Sequence, residues 1–274
     1  MRKLVIAAST GLLALGLGGA ASADTVIKFS DSKSPTPNEL AIKSGKVLIK
    51  PPKGGGRIIV DTGAGKMVMI NDQQKQYMEM TEQTIDQSTQ LMNQVRQQMM
   101  AQLKNLPPEQ RKLMEQRMGI NQPAPKLPKV AVQATGQKKK VSGVECEVNV
   151  ITTDGQKTAE VCIASPQAAG MDKADYETLH RMFEFSRKMA AKSARAMGAA
   201  ASQLPASQAI PDINGLPMEV RDLKSGNVVT ITAIEKKPLN AADFAPGAGY
   251  RKFDMIGQMR QQMQQLQQQR QPAR

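Results

Sequence analysis

The sequence predicts an α+β fold: one long, curved antiparallel sheet with helices inserted between its strands and gathered on one face. Three observations predict it. Short segments of alternating apolar residues, separated by Gly, Pro, Asn and Asp, follow one another closely in the first third of the chain and return later, the pattern of consecutive antiparallel strands. Between them the apolar period changes to three and four residues, which lines one side of a helix. Helices packed on one face of an antiparallel sheet give an α+β domain.

The chain of 274 residues opens with Arg2 and Lys3, an apolar run from Leu4 to about Ala20, and then Ala21, Ser22 and Ala23. Charged, apolar and small-residue segments in that order read as a cleavable secretory signal. The expected cut follows Ala23, so residues 1–23 are a signal peptide and the mature protein is periplasmic. No cysteine follows the run, so no lipid anchor is expected. No later segment reaches the roughly 18 apolar residues that a membrane span needs.

Residues 24–254 are expected to form one α+β domain. Strand alternation appears in "TVIKF" (25–29), "GKVLIK" (45–50), "GRIIVD" (56–61), "GKMVMIN" (65–71) and "KQYMEM" (75–80). Ile85, Met92, Val95, Met99, Leu103 and Leu106 then fall on one side of a helix. Pro107 and Pro108 break it, and "PEQRKLMEQRMG" restarts a second helix with Pro108 in its first turn. The two make a helical hairpin inserted at about 81–120. Strand character resumes near Lys129 to Gln133 and runs through the cysteine segment. A third helix starts at Asp172, a capping residue, with Tyr176, Leu179, Met182, Phe183 and Ala190 on its apolar side. The Ala-, Ser-, Gln- and Pro-rich stretch 193–214 reads as frayed helix passing into linker. "LPMEVRDL" and "NVVTITAIEKK" form a second hairpin around Lys224 to Gly226. The Gln-rich tail 255–274 keeps Met259, Met263 and Leu266 in helical register without a core of its own, as a loose helix or a disordered segment.

The two cysteines, Cys146 and Cys162, both lie in "VECEVNVITTDGQKTAEVCIA". A three-residue loop of Thr153, Asp154 and Gly155, closed by Thr152 and Gln156, places them directly opposite one another. A two-residue turn at Asp154 and Gly155 sets Cys146 across from Ile163 instead. In an oxidising compartment the pair is expected to form a structural disulfide, contributing about 3 kcal/mol. CxxC spacing, the mark of a redox-active pair, is absent.

The whole chain carries 37 Lys and Arg against 24 Asp and Glu, a net charge of +13. Without residues 1–23, which hold only Arg2 and Lys3, the mature chain of 251 residues keeps +11. Outside the cytoplasm that excess favours anionic envelope surfaces and solubility. Nucleic acid is not an expected partner: Lys138 to Lys140 read as a short loop cluster, and the eight aromatics are scattered.

The stretches "GKMVMINDQQKQYMEM", "VSGVECEVNVITTDGQKTAEVCIA" and "GLPMEVRDLKSGNVVTITAIEKKPLNAADFAPGAGY" together resemble the exported bacterial proteins grouped as domain of unknown function 4412, from about Asp24 to Phe253. The strand order, with an ending like "LNAADFAPGAGY", is also similar to the LolA/LolB-like lipoprotein carriers. That resemblance implies a half barrel whose concave side is covered by helices and holds acyl chains. It implies no catalytic residue, and the helical hairpin and Gln-rich tail depart from those carriers.

Eighteen methionines and a single histidine set the functional question. A turn at Asp72 and Gln73 sets Met67 opposite Met78, with Met69 and Met80 on the same side of the sheet. Four thioethers on one face suit a soft Cu(I) site, ordinary packing, or the floor of a pocket, since flexible thioethers re-pack around varied apolar ligands. With Met92, Val95 and Met99 as a lid, these seven residues are the candidate site for a lipid, a lipoprotein or an unfolded envelope protein. "LPPEQRKLMEQRM" resembles the L-x-P-E-Q-R phrase of small periplasmic chaperones of the Spy type, which hold unfolded clients on amphipathic helices. No catalytic role, cofactor or metal is expected: G-x-S-x-G and H-E-x-x-H are absent, and Gly54, Gly55 and Gly56 lack the Lys and Ser/Thr of a phosphate loop. His180 reads as a surface or boundary residue.

Overall fold

The computed structural model describes residues 23–51, 54–104, 106–118, 128–197 and 211–268. The expected signal peptide up to Ser22, residues 198–210 of the expected linker and the end of the tail lie outside them. Twelve strands form one open sheet. In chain order they are β1 (Asp24–Asp31), β2 (Ser34–Lys43), β3 (Lys46–Lys50), β4 (Gly56–Asp61), β5 (Lys66–Asn71), β6 (Gln76–Thr81), β7 (Val130–Val141), β8 (Val144–Thr153), β9 (Gln156–Ala164), β10 (Leu216–Asp222), β11 (Val228–Lys237) and β12 (Arg251–Lys252). Their order across the sheet is β12-β6-β5-β4-β3-β2-β1-β11-β10-β9-β8-β7. Two antiparallel meanders, β1–β6 and β7–β11, therefore meet where β1 pairs with β11, and β12 alone runs parallel to its neighbour.

The sheet is curved at its β7 end. The turn between β7 and β8 lies between three and four strand spacings from β11, at least about 14 Å in a flat sheet at ~4.8 Å per strand. Yet the Ser142 hydroxyl donates to the Ile231 carbonyl of β11 at 2.7 Å.

Among the described residues, four α-helices accompany the sheet: α1 (Glu82–Leu103), α2 (Pro108–Met118), α3 (Lys173–Met197) and α4 (Met255–Gln268). Thr81 caps α1 through a reciprocal capping box with Thr84. Leu179 and Met182 of α3 join the main core with Ile27, Ile42, Val47, Val60, Leu216 and Met218, so α3 covers the inner face. On the outer face, alternate residues Leu48, Ile59, Val68 and Ile70 pack against Phe244, Leu239 and Tyr250 of the segment after β11. The strands are apolar on both sides because both faces are covered.

The disulfide expected of Cys146 and Cys162 is present, with both cysteines buried. Its register corrects the sequence reading. Asp154 and Gly155, both at positive φ, make a two-residue turn that Thr153 and Gln156 close, and an irregularity past Thr152 shifts the ladder so that Val148 faces Cys162. The bridge is thus diagonal, with Cα atoms 5.4 Å apart. The Asp-Gly turn obeyed its own twist preference, and a bulge absorbed the mismatch.

Three further differences have local causes. Strand β2 does not show in the sequence because Pro35 and Pro37 interrupt it. Its pairing with β3 begins only at Glu39, so the prolines sit where one side of the strand has no ladder to donate to. Lys138 to Lys140 lie in the edge strand β7 and not in a loop; lysines on an open edge discourage strand addition. The Gln-rich segment from Met255 is helical to Gln268, with Ile256 buried, and packs on α1.

Candidate functional site

The hairpin of β5 and β6 turns through residues 72–75, not at Asp72 and Gln73 alone. Met67 therefore pairs with Met80 and Met69 with Met78. The longer turn moves the register by two residues, and a two-residue slip preserves the face. All four thioethers lie on the side of the sheet that carries Ile58 and Val60, and all are half-buried. Met67 packs against the main core.

The sequence-predicted lid, Met92, Val95 and Met99, lies on α1. Helix α1 packs on α3 and α4 and meets the sheet at β6. Its N-terminal half is tied to α3 by Lys188–Glu82 at 2.5 Å and by Lys192, 3.3 Å from Glu82 and 2.9 Å from Asp86. The fully buried residues of α1 are Ile85, Leu91 and Leu103. Val95 and Met99 are half-buried, while Met92 is 46% exposed. Helix α1 thus meets the sheet at β6, the strand that carries Met78 and Met80. Helix α2 has no extensive packing partner among the described elements; Leu113 is 53% and Met114 41% exposed.

Two depressions lie away from the methionines. One, of about 180 Å³, sits under the β7–β8 tip against Ala169, Met218, Ile231 and Ile234. The other, of about 400 Å³, is lined by Lys50, Pro51, Gly54, Gly55, Gly56, Arg57 and Asp72. Sequence reasoning missed the second because it tested the three glycines only against the phosphate-loop pattern. The Arg that follows them was the available signal.

Polar clusters elsewhere read as structural ties. Buried Thr25 and Asp175 share a hydrogen bond, and Lys236 reaches Thr25 at 2.7 Å and Asp175 at 3.1 Å as well as Asp172. Burial alone would lower the Lys236 pKa, but hydrogen bonds to Asp172 and Asp175 outweigh it and raise the pKa. A firmly protonated ammonium cannot serve as a base, so this cluster fastens the start of α3 to β1 and β11. His180 lies 3.8 Å from Glu184 and 3.7 Å from Asp212. Among the described residues no three His, Cys, Asp or Glu side chains converge as a metal cluster.

The family described as Domain of unknown function (DUF4412) matches residues 102–250. The chain belongs to this family. The match spans two of the three stretches that carry the sequence resemblance and stops short of Gly65–Met80. No curated protein matches the chain. Among solved structures, an uncharacterized conserved protein from Thermus thermophilus aligns over 85% of this chain and 91% of its own, at 7% identity and a TM-score of 0.40. PNGF-II, solved in space group C2, aligns over 87% of this chain at 10% identity and a TM-score of 0.39, with 32% of its own length covered. Neither likeness bears on what this DUF4412 member does.

Proposed function

We propose that the protein is a non-enzymatic periplasmic binder of apolar or lipidic ligands, working as a LolA-like half barrel. The observation that carries this reading is the pairing of Met67 with Met80 and Met69 with Met78 on the core-side face of β5 and β6, half-buried. Thioethers that are neither locked in the core nor fully solvated can re-pack around an acyl chain. Each methylene withdrawn from water contributes about 0.8 kcal/mol, so affinity needs no polar recognition. Val95 and Met99 of α1 supply the border of the face, and Met92 its exposed rim. Native mass spectrometry of protein purified from the periplasm, with lipid extraction, tests the reading. Bound or acquired lipid is expected, and Met69→Lys with Met78→Lys should abolish uptake while leaving the circular dichroism unchanged. A protein that is empty and takes up no lipid sinks it.

A second reading rests on a different observation. Of the six large apolar side chains exposed among the described residues, Met92, Met100, Leu113 and Met114 all lie on α1 and α2. Apolar side chains exposed on consecutive helices suit transient holding of unfolded chains, as in chaperones of the Spy type. Aggregation of a reduced client at equimolar protein tests it; no suppression, or full suppression by Leu113→Ser with Met114→Ser, counts against it.

A further inference from the structure

We propose that Met92, Met100 and Met114 form a reversible oxidation site, through which a peroxide turns the apolar surface of α1 and α2 polar without unfolding the protein. Access to solvent separates the thioethers of the described residues. Met92 is 46%, Met114 41% and Met100 39% exposed, whereas Met171, Met182, Met189 and Met218 are at or below 5%. Met67, Met69, Met78 and Met80 stand between these groups. Met171, Met182 and Met218 belong to the main core, closed to oxidant and water alike. Other readily oxidised side chains do not compete, because both cysteines are held in the buried bridge and the chain has no tryptophan. The three accessible thioethers are also half of the six large apolar side chains exposed among the described residues. A change in their polarity therefore falls on one pair of consecutive helices.

The chemistry needs one co-reactant in each direction. A sulfur lone pair attacks one oxygen of hydrogen peroxide, the S–O bond forms as the O–O bond breaks, and the departing hydroxide takes the proton of the transferred oxygen. One thioether and one peroxide thus give one sulfoxide and one water, with sulfur oxidised by two electrons. Two thiols of a reductase reverse the step, releasing water and closing as a disulfide. The product has cations beside it. Arg96 stands four residues after Met92 and four before Met100, Lys104 four after Met100, and Arg111 three before Met114, spacings that make neighbours on a helix surface. A sulfoxide oxygen bears partial negative charge and accepts from such cations, so the oxidised side chains are accommodated where they stand. A flexible apolar side chain has become a polar one. Oxidation of the thioethers follows from their exposure alone, while its consequence for unfolded chains rests on the second reading above.

The full chain is treated with hydrogen peroxide, and tandem mass spectrometry of its peptides assigns each added oxygen to a residue. Sulfoxide should form at Met92, Met100 and Met114 on the order of tenfold faster than at Met171, Met182, Met189 and Met218, since susceptibility follows exposure. Far-ultraviolet circular dichroism should stay unchanged, while binding of anilinonaphthalene sulfonate, which reports exposed apolar surface, falls severalfold. Methionine sulfoxide reductases for both epimers, with dithiothreitol, should restore the dye binding. Replacing Met92, Met100 and Met114 by Leu keeps size and polarity; this variant should bind the dye as the wild type does and keep it after peroxide. Equal rates at exposed and core methionines, an unfolded oxidised protein, or the same loss of dye in the Leu variant overturns the proposal. No client enters these readouts, so failure of the chaperone reading shows separately in the aggregation assay.

Discussion

The meander β7–β11 and the meander β1–β6 share one sheet but are secured by different means. The first is cross-linked by Cys146–Cys162 and curled until Ser142 reaches Ile231. The second carries no covalent tie. A C-terminal strap lies along its outer face through Leu239, Phe244 and Tyr250 and adds β12 beside β6. Ion pairs close the edge: Glu79 accepts from Lys66 at 2.9 Å and from Lys252. The DUF4412 match, residues 102–250, covers the cross-linked meander and leaves out β1–β6. The family match therefore falls on the cross-linked half, while the methionine face proposed above as a binding surface belongs to the other.

The difference between the halves is open to attack, most strongly at the disulfide. Replacing Cys146 and Cys162 by Ala should cost about 3 kcal/mol in urea unfolding, the value for a loop of this length. Hydrogen exchange should quicken in β8 and β9 more than in β4 and β5; equal acceleration would show that the halves open as one. Next comes Gly215→Ala, beside β10. Gly215 has φ +129° and a Cβ there would lie 2.5 Å from Ile163 Cγ2, so the loss should exceed about 1 kcal/mol, read as a shift in thermal midpoint. By contrast, Met69→Leu with Met78→Leu in the strapped half should cost less than about 1.5 kcal/mol, because volume is kept. A larger loss would mean that these thioethers are packed as tightly as the core and have no room for a ligand.

The smallest expected effect is electrostatic. Hydrogen bonds from Lys252 and then Lys66 hold the Glu79 carboxyl below its ordinary pKa. A carboxylate whose folded pKa is lowered contributes stability above its unfolded value, about 4.3, and loses it as pH falls through the lower folded value. Thermal midpoints of wild type and Glu79→Gln should differ near neutral pH and converge in acid. A difference that persists in acid would assign the role of Glu79 to packing.

Much of this architecture was legible in the residues. Period-two runs located β1 and β3–β6, the proline pair located the break between α1 and α2, and the shared face of Met67, Met69, Met78 and Met80 followed from parity alone. What failed was register and neighbourhood. Parity survives a two-residue slip, so the face was right while the partners of Met67 and Met69 were not. Bulges such as the one past Thr152 leave no local mark. Helix periodicity states that a face of α1 is apolar, not what lies opposite; the neighbours α3 and α4 were not legible from it. Of the Arg57 depression only Arg57 itself, following three glycines, was legible; its partners Asp72 and Ala245 stand up to 188 residues away in the chain.

Strand β1 sits near the middle of the sheet, yet its partner β11 is among the last strands made, with Thr25 facing Lys236 across 211 residues. As synthesis proceeds, β1–β6 can assemble early while the free flank of β1 waits with unsatisfied amides and carbonyls until the other meander arrives. Such a flank is a template for intermolecular strand addition, and closing so long a loop is slow. The β1–β11 seam can therefore close only once about residue 237 has emerged.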